Sequence, residues 1–133
     1  MFDLIILLDG KSYYNRNKLM SCLGLQQQPD IDGNELYTKK DNEQHIIANI
    51  IKGVSGYFYE DEVTIPYNIS GVCHLSFYPF CEIINELLSA IIDFNSELYV
   101  DDDNGNIVNI CDYKTLVKKK KVYPYTYCSK DYF

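Results

Sequence analysis

The side chains best suited to nucleophilic or metal chemistry in this chain are two histidines, His45 and His74, and five cysteines, Cys22, Cys73, Cys81, Cys111 and Cys128. Cys73 and His74 are neighbours, and a thiol beside an imidazole is the raw material of a nucleophile–base pair. The alternation of Val72, His74, Ser76 and Tyr78 against Cys73, Leu75 and Phe77 predicts a half-buried strand, which sends the two side chains to opposite faces. No cysteine-protease signature and no G-x-S-x-G elbow accompanies them. His74 is therefore read as a structural or surface histidine. Zinc needs four ligands at matched spacing, and neither histidine pairs with a cysteine in that way. The odd cysteine count, the wide spacings and the lack of C-x-x-C suit small apolar residues in a reducing compartment.

Acids are the other chemical resource. Asp101-Asp102-Asp103-Asn104-Gly105-Asn106 invites comparison with a calcium loop, but an EF-hand wants glycine at its sixth position, where Asn106 stands. Asn-Gly instead supplies the left-handed conformations of a tight hairpin turn. No phosphate-binding glycine loop occurs. Lys118 to Lys121 form a basic block in an otherwise acidic chain and read as a solvated linker. The expectation is no enzyme, no metal and no cofactor.

Charge is distributed unevenly. Between Gly53 and Tyr113 there is no Lys or Arg and there are eleven acids, a formal −11. The rest of the chain holds all twelve bases and eight acids, a formal +4, which gives the net −7. Glu60-Asp61-Glu62 and Asp101-Asp102-Asp103 both fall at predicted strand connections. In a meander, alternate connections lie at one end of the sheet, so the two acid triplets are expected to share a surface. Such a surface meets a basic partner by fast, salt-sensitive association. Tyr57, Tyr59 and Tyr99 would add contact area at small entropic cost. These nine residues are the predicted partner-binding set.

The elements that must position them follow from periodicity. The length of 133 residues suits one domain, residues 1–133. Phe2 to Leu8 is a continuous apolar run, as for a central strand covered on both faces. A helix is predicted from Ser12 to about Leu23, then a loop over Gly24 to Asn34 and a short strand at Glu35–Thr38. For Asp41 to Lys52, Asp41 with Gln44 reads as a capping box and Ile46, Ile47, Ile50 and Ile51 fit helical spacing, so a helix is predicted. Four isoleucines also suit a strand. Val54 to Pro66 reads as strand, charged turn, strand. Pro79 to Asn95 carries the clearest helical stripe. Glu97 to Asp112 reads as a hairpin, with Ile107 to Cys111 as the returning strand. A C-terminal segment this aromatic is expected to dock. The fold class expected is α+β, a largely antiparallel sheet with two or three helices packed on it.

No apolar run approaches the roughly 20 residues that span a bilayer, and the N-terminus lacks a basic leader region. A cytoplasmic protein without a membrane partner is expected. A small, acidic, tyrosine-rich α+β chain without catalytic motifs resembles the bacterial immunity proteins of contact-dependent inhibition and related polymorphic toxin systems. The resemblance is one of profile over the whole chain. It implies a neutralising complex with a cognate toxin domain, often a nuclease with a basic surface, and no direct contact with nucleic acid. The alternatives are a nucleic-acid-mimicking inhibitor of a host defence complex, as in phages, and a small uncharacterised enzyme.

Overall fold

The computed structural model describes residues 1–31, 34–53 and 65–129. Its frame is an antiparallel sheet of seven strands in the order β2-β3-β4-β5-β1-β6-β7. The strands are β1 (Phe2–Leu8), β2 (Gln26–Ile31), β3 (Asn34–Lys40), β4 (His45–Lys52), β5 (Gly71–Tyr78), β6 (Tyr99–Asp101) and β7 (Ile107–Asn109). The helices are α1 (Gly10–Tyr14), α2 (Arg16–Cys22), α3 (Phe80–Phe94) and α4 (Ile110–Lys118). The α+β expectation holds, with four helices among the described residues rather than two or three.

β1 earns its central place from its apolar run. Leu4 through Leu8 are all buried, because both faces of this strand are covered. Leu4, Ile6 and Leu8 point into the main core with Leu75, Phe77, Ile46 and Ala48. Ile5 and Leu7 point the other way and join Val72, against which Ile65, Ile69, Tyr99 and Ile107 pack part-buried. α3 crosses between β5 and β6 and buries Ile83, Ile84, Leu87, Leu88 and Ile91. At about 1.5–3 kcal/mol each, these five side chains make the α3 face a main source of stability.

Four expectations need correction. Residues 45–52 form a strand, not a helix. Ile46, Ala48 and Ile50 are buried while Ile47, Asn49 and Ile51 are less so, which is period two. The Asp41 side chain does accept from the backbone N–H groups of Glu43 and Gln44, both at 2.8 Å, but it closes a hairpin turn rather than capping a helix. Burial of an alternating β-branched face overrode the local signal. Residues 26–31 form an edge strand in place of the predicted loop, with a register shift between Gln28 and Ile31 around Pro29, as suits proline at an edge. The predicted return strand Ile107–Cys111 stops at Asn109, whose side chain accepts from Cys111 N–H and starts α4. The helix predicted from Ser12 is two helices broken at Asn15, and Asp9 rather than Ser12 caps the first.

The cysteines also depart from expectation. Cys81 and Cys128 form a disulfide with a Cα–Cα distance of 5.8 Å. It ties the C-terminal segment to the first turn of α3, where Tyr125 is fully buried and its ring packs on Phe2 and Phe80. Cys73 is buried and free, as expected, while Cys22 and Cys111 are exposed. The cysteine pattern therefore gives no support to a reducing compartment. No helix among the described residues is long and apolar enough to cross a membrane.

Candidate partner-binding surface

Asp101, Asp102 and Asp103 are consecutive, yet the fold separates their roles. Asp101 ends β6 and lies opposite Ile5, on the sheet face away from the helices. Its Oδ1 accepts from Asp103 N–H at 2.8 Å. Asp103 stands exposed, with φ +58, at the start of the turn. Asp102 is fully buried. Its Oδ1 accepts from the backbone N–H of Asn104 at 2.9 Å and of Asn106 at 3.0 Å, and its Oδ2 from Asn106 Nδ2 at 2.8 Å. As placed, Asp102 organises the turn and offers nothing to a partner. It leaves the predicted binding set because folding gives its carboxylate backbone donors that compensate its burial.

The buried carboxylate has neighbours. Burial first, and the charge of Asp102 second, push the Tyr113 phenol far up. Tyr125 is pushed the same way by burial, by Tyr113 and by Asp102. Tyr113 Oη makes no hydrogen bond within the described structure. Tyr99, also of the predicted set, is half-buried on the sheet face beside Leu7. Its ring stacks edge-on against Tyr67, and its N–H donates to Tyr67 Oη at 2.8 Å.

Tyr57, Tyr59, Glu60, Asp61 and Glu62 lie outside the described residues. The strands that flank them are described, and they speak to the shared-surface expectation. β4 ends at Lys52 and β5 begins at Gly71, which pairs with Leu8 of β1. β6 runs the opposite way along β1, from Leu7 toward Ile5, so its turn leaves toward the Phe2 end. The two connections start from opposite ends of the sheet. The meander assumption fails because α3 and β1 intervene between them.

A different set of acids is brought together. Glu82, Glu86 and Asp93 fall four and seven residues apart along α3, which puts them on one outward stripe. Each is exposed, as are Glu97, Asp103 and Asp112. None makes an ion pair among the described residues, where Arg16 pairs with Glu35 at 2.7 Å and His74 Nε2 lies 3.4 Å from Asp3 Oδ1. Among the described residues the C-terminal lysines make no ion pair with these acids. Lys114 Nζ donates to Ser89 Oγ at 2.8 Å, within the stripe, and Lys120 Nζ donates to the Cys128 carbonyl. The spacing of Glu82, Glu86 and Asp93 was the available signal for this stripe.

Catalytic geometry can be tested on His74. Ser76 Oγ donates to Asp3 Oδ1 at 2.5 Å, and Asp3 Oδ1 lies 3.4 Å from His74 Nε2. A nucleophile–base pair needs the histidine between serine and acid. Here the aspartate sits between, and its carboxylate takes the serine proton's hydrogen bond. Among the described residues no group of three or more His, Cys, Asp or Glu side chains is placed to hold a metal. No protein-family profile, no curated protein and no solved structure matches this chain.

Proposed function

We propose that this chain is an immunity-type inhibitor that neutralises a cognate toxin domain by docking a basic surface of it. The observation that carries the reading is the α3 stripe, where Glu82, Glu86 and Asp93 share one exposed face and none makes an ion pair among the described residues, the Lys114 ammonium on Ser89 being held within the same face. Unpaired acids on a rigid helix repel one another and keep little of their charge screened, so they favour a partner that supplies the missing bases. A nuclease domain fits, because the surface that holds a polyanion is basic. Asp101, Asp103 and Tyr99 lie in another part of the fold and would act as a flank.

The test is the association rate with the candidate toxin domain across a salt series. The rate is expected to fall steeply as salt rises. The triple variant Glu82→Gln, Glu86→Gln, Asp93→Asn is expected to slow association about tenfold at low salt with a smaller change in dissociation. A salt-independent rate, or a triple variant that associates like the parent, would end the proposal.

One observation favours the mimic as second reading. Glu82, Glu86 and Asp93 set like negative charges along one helix face, as the phosphates are set along a nucleic-acid strand. A mimic would be displaced by free DNA or RNA competing for its target, whereas an inhibitor that also contacts non-basic surface would resist. Both readings expect the chain in the cytoplasm, whereas the Cys81–Cys128 disulfide argues for an oxidising compartment. Alkylation of thiols at the moment of lysis tells the two compartments apart.

A further inference from the structure

We infer that the cavity between α2 and α3 binds a small apolar α-amino acid, held by both of its charges. The inference stands apart from the inhibitor reading and needs no protein partner. The cavity measures about 270 Å³. That is just under the roughly 300–1,000 Å³ of sites that take drug-sized ligands, so its occupant is smaller. Leu23, Ile46, Ile83 and Leu87 line it and belong to the buried core, so they give it an apolar floor. Lys39 and Glu86 line it as well, one from β3 and one from α3.

These two side chains carry opposite charges and do not reach one another. Neither makes an ion pair among the described residues. Lys39 lies across Gly24, its Cδ and Nζ each 3.9 Å from where a Cβ there would sit. Gly24 has φ +72, where a side chain would be strained, so that wall stays open to the lysine. Asp41 feels the Lys39 charge, but its carboxylate is committed to the N–H groups of Glu43 and Gln44. Lys114, the ammonium nearest along α3, is held on Ser89 and does not line the cavity. The lining is thus balanced overall and unpaired within. A purely apolar occupant would take both charges out of water without a partner. A cation or an anion would answer one wall and leave the other unmatched. A zwitterion answers both, its carboxylate accepting from Lys39 and its ammonium donating to Glu86. An α-amino acid carries the two charges at one end, which leaves an aliphatic side chain free to lie on the apolar floor.

The probe is L-leucine, titrated into the whole chain and followed by amide chemical shifts. Shifts are expected at Leu23, Gly24, Ile83 and Leu87, with a Kd of about a millimolar for so small a ligand. Isocaproate keeps the stem and the carboxylate, and isoamylamine keeps the stem and the ammonium. Each is expected to bind about fivefold more weakly than leucine, the equivalent of losing one partly screened ion pair. Glu86→Gln should weaken leucine about fivefold and leave isocaproate unchanged, while Lys39→Met should weaken leucine by the same factor and leave isoamylamine unchanged. Loosened packing alone would not give that crossed pattern. Leucine should also slow the alkylation of Cys22, which lines the cavity, and not that of Cys111 on α4, both thiols being exposed. Isocaproate or isoamylamine binding as tightly as leucine, or variants that weaken all three probes alike, would overturn the inference. So would leucine shifts without a maximum at the cavity, or none at about ten times the expected Kd.

Discussion

The ring of Tyr13 occupies the space where a side chain at Gly71 would begin: a Cβ there would lie 2.5 Å from Tyr13 Cδ2 and 2.9 Å from the Ile51 carbonyl oxygen. One neighbour is a ring that Arg16 covers, its guanidinium carbon 4.5 Å from the ring centroid. The other is backbone of a paired strand. Neither can move cheaply. Gly71→Ala is expected to cost about 2–3 kcal/mol by overpacking, measured by urea unfolding. Stability within about 0.5 kcal/mol of the parent would show that the α1–β5 contact has slack.

How far this fold could be read from sequence depended on whether two periods competed. α3 has five buried positions at three- and four-residue steps, and no strand pattern fits them. Ile46, Ile47, Ile50 and Ile51 fit a helix as well as a strand, and Ala48, a buried small residue between them, is silent about which. α4 carries Ile110, Tyr113 and Val117 on a helical face, but the Asn-Gly turn just before it made a returning strand look natural. The candidate surface was less legible for a stronger reason. Nothing local distinguishes Asp102 from Asp101 and Asp103, and only the fold takes one of the three out of water, close enough for its charge to act on the Tyr113 and Tyr125 phenols. Likewise the Glu82 stripe becomes a surface only once the opposite face of α3 is committed to the core.

Asp102 should be the most sensitive of the three aspartates. Asp102→Ala takes the carboxylate acceptor from the N–H groups of Asn104 and Asn106, at an expected cost of about 2–3 kcal/mol for hydrogen bonds to a charged group. Asp102→Asn keeps one carbonyl oxygen for those donors, and the Asn106 amide can rotate to meet the new one, so about 1 kcal/mol is expected. Asp103→Ala, at an exposed site, should change stability by less than about 0.5 kcal/mol, apart from the strain already carried at its positive φ. Chemical unfolding of the three variants checks the order. Equal losses at Asp102 and Asp103 would mean that the buried carboxylate does not organise the turn.

Tyr67 makes the protein sensitive to alkali. Its hydroxyl donates to the Leu7 carbonyl at 2.6 Å and accepts from Tyr99 N–H. Burial, the largest cause, pushes its pKa from 10.0 up to about 12. In that window the unfolded chain has lost the phenolic proton and the folded chain has kept it, so stability is full below pH 10 and falls as pH rises toward 12. Buried Cys73, whose thiol is also pushed up to about 12 by burial, acts in the same direction. Tyr67→Phe is expected to cost about 1–2 kcal/mol at neutral pH and to flatten the alkaline fall. Unfolding free energies measured through the window decide. A stability that stays level from 10 to 12 would mean that these groups are solvated.

The disulfide joins residues 47 apart in sequence. Closing a loop of that length in the unfolded chain is worth about 4 kcal/mol by chain entropy, and measured values for such bonds commonly fall at about 2–4 kcal/mol. The folded segment has other anchors. Tyr125 is buried between Phe2 and Phe80, and Lys120 holds the Cys128 carbonyl. The double variant Cys81→Ser, Cys128→Ser should therefore keep the same sheet and lose about 2–4 kcal/mol of stability. Reductant added to the parent should reproduce that loss and leave the variant unchanged. A variant as stable as the parent would mean that the unfolded chain is already held compact near these positions, so that the crosslink removes little of its freedom. Alkylation that finds five free thiols in the natively purified chain would instead mean that the bond does not form where the protein works.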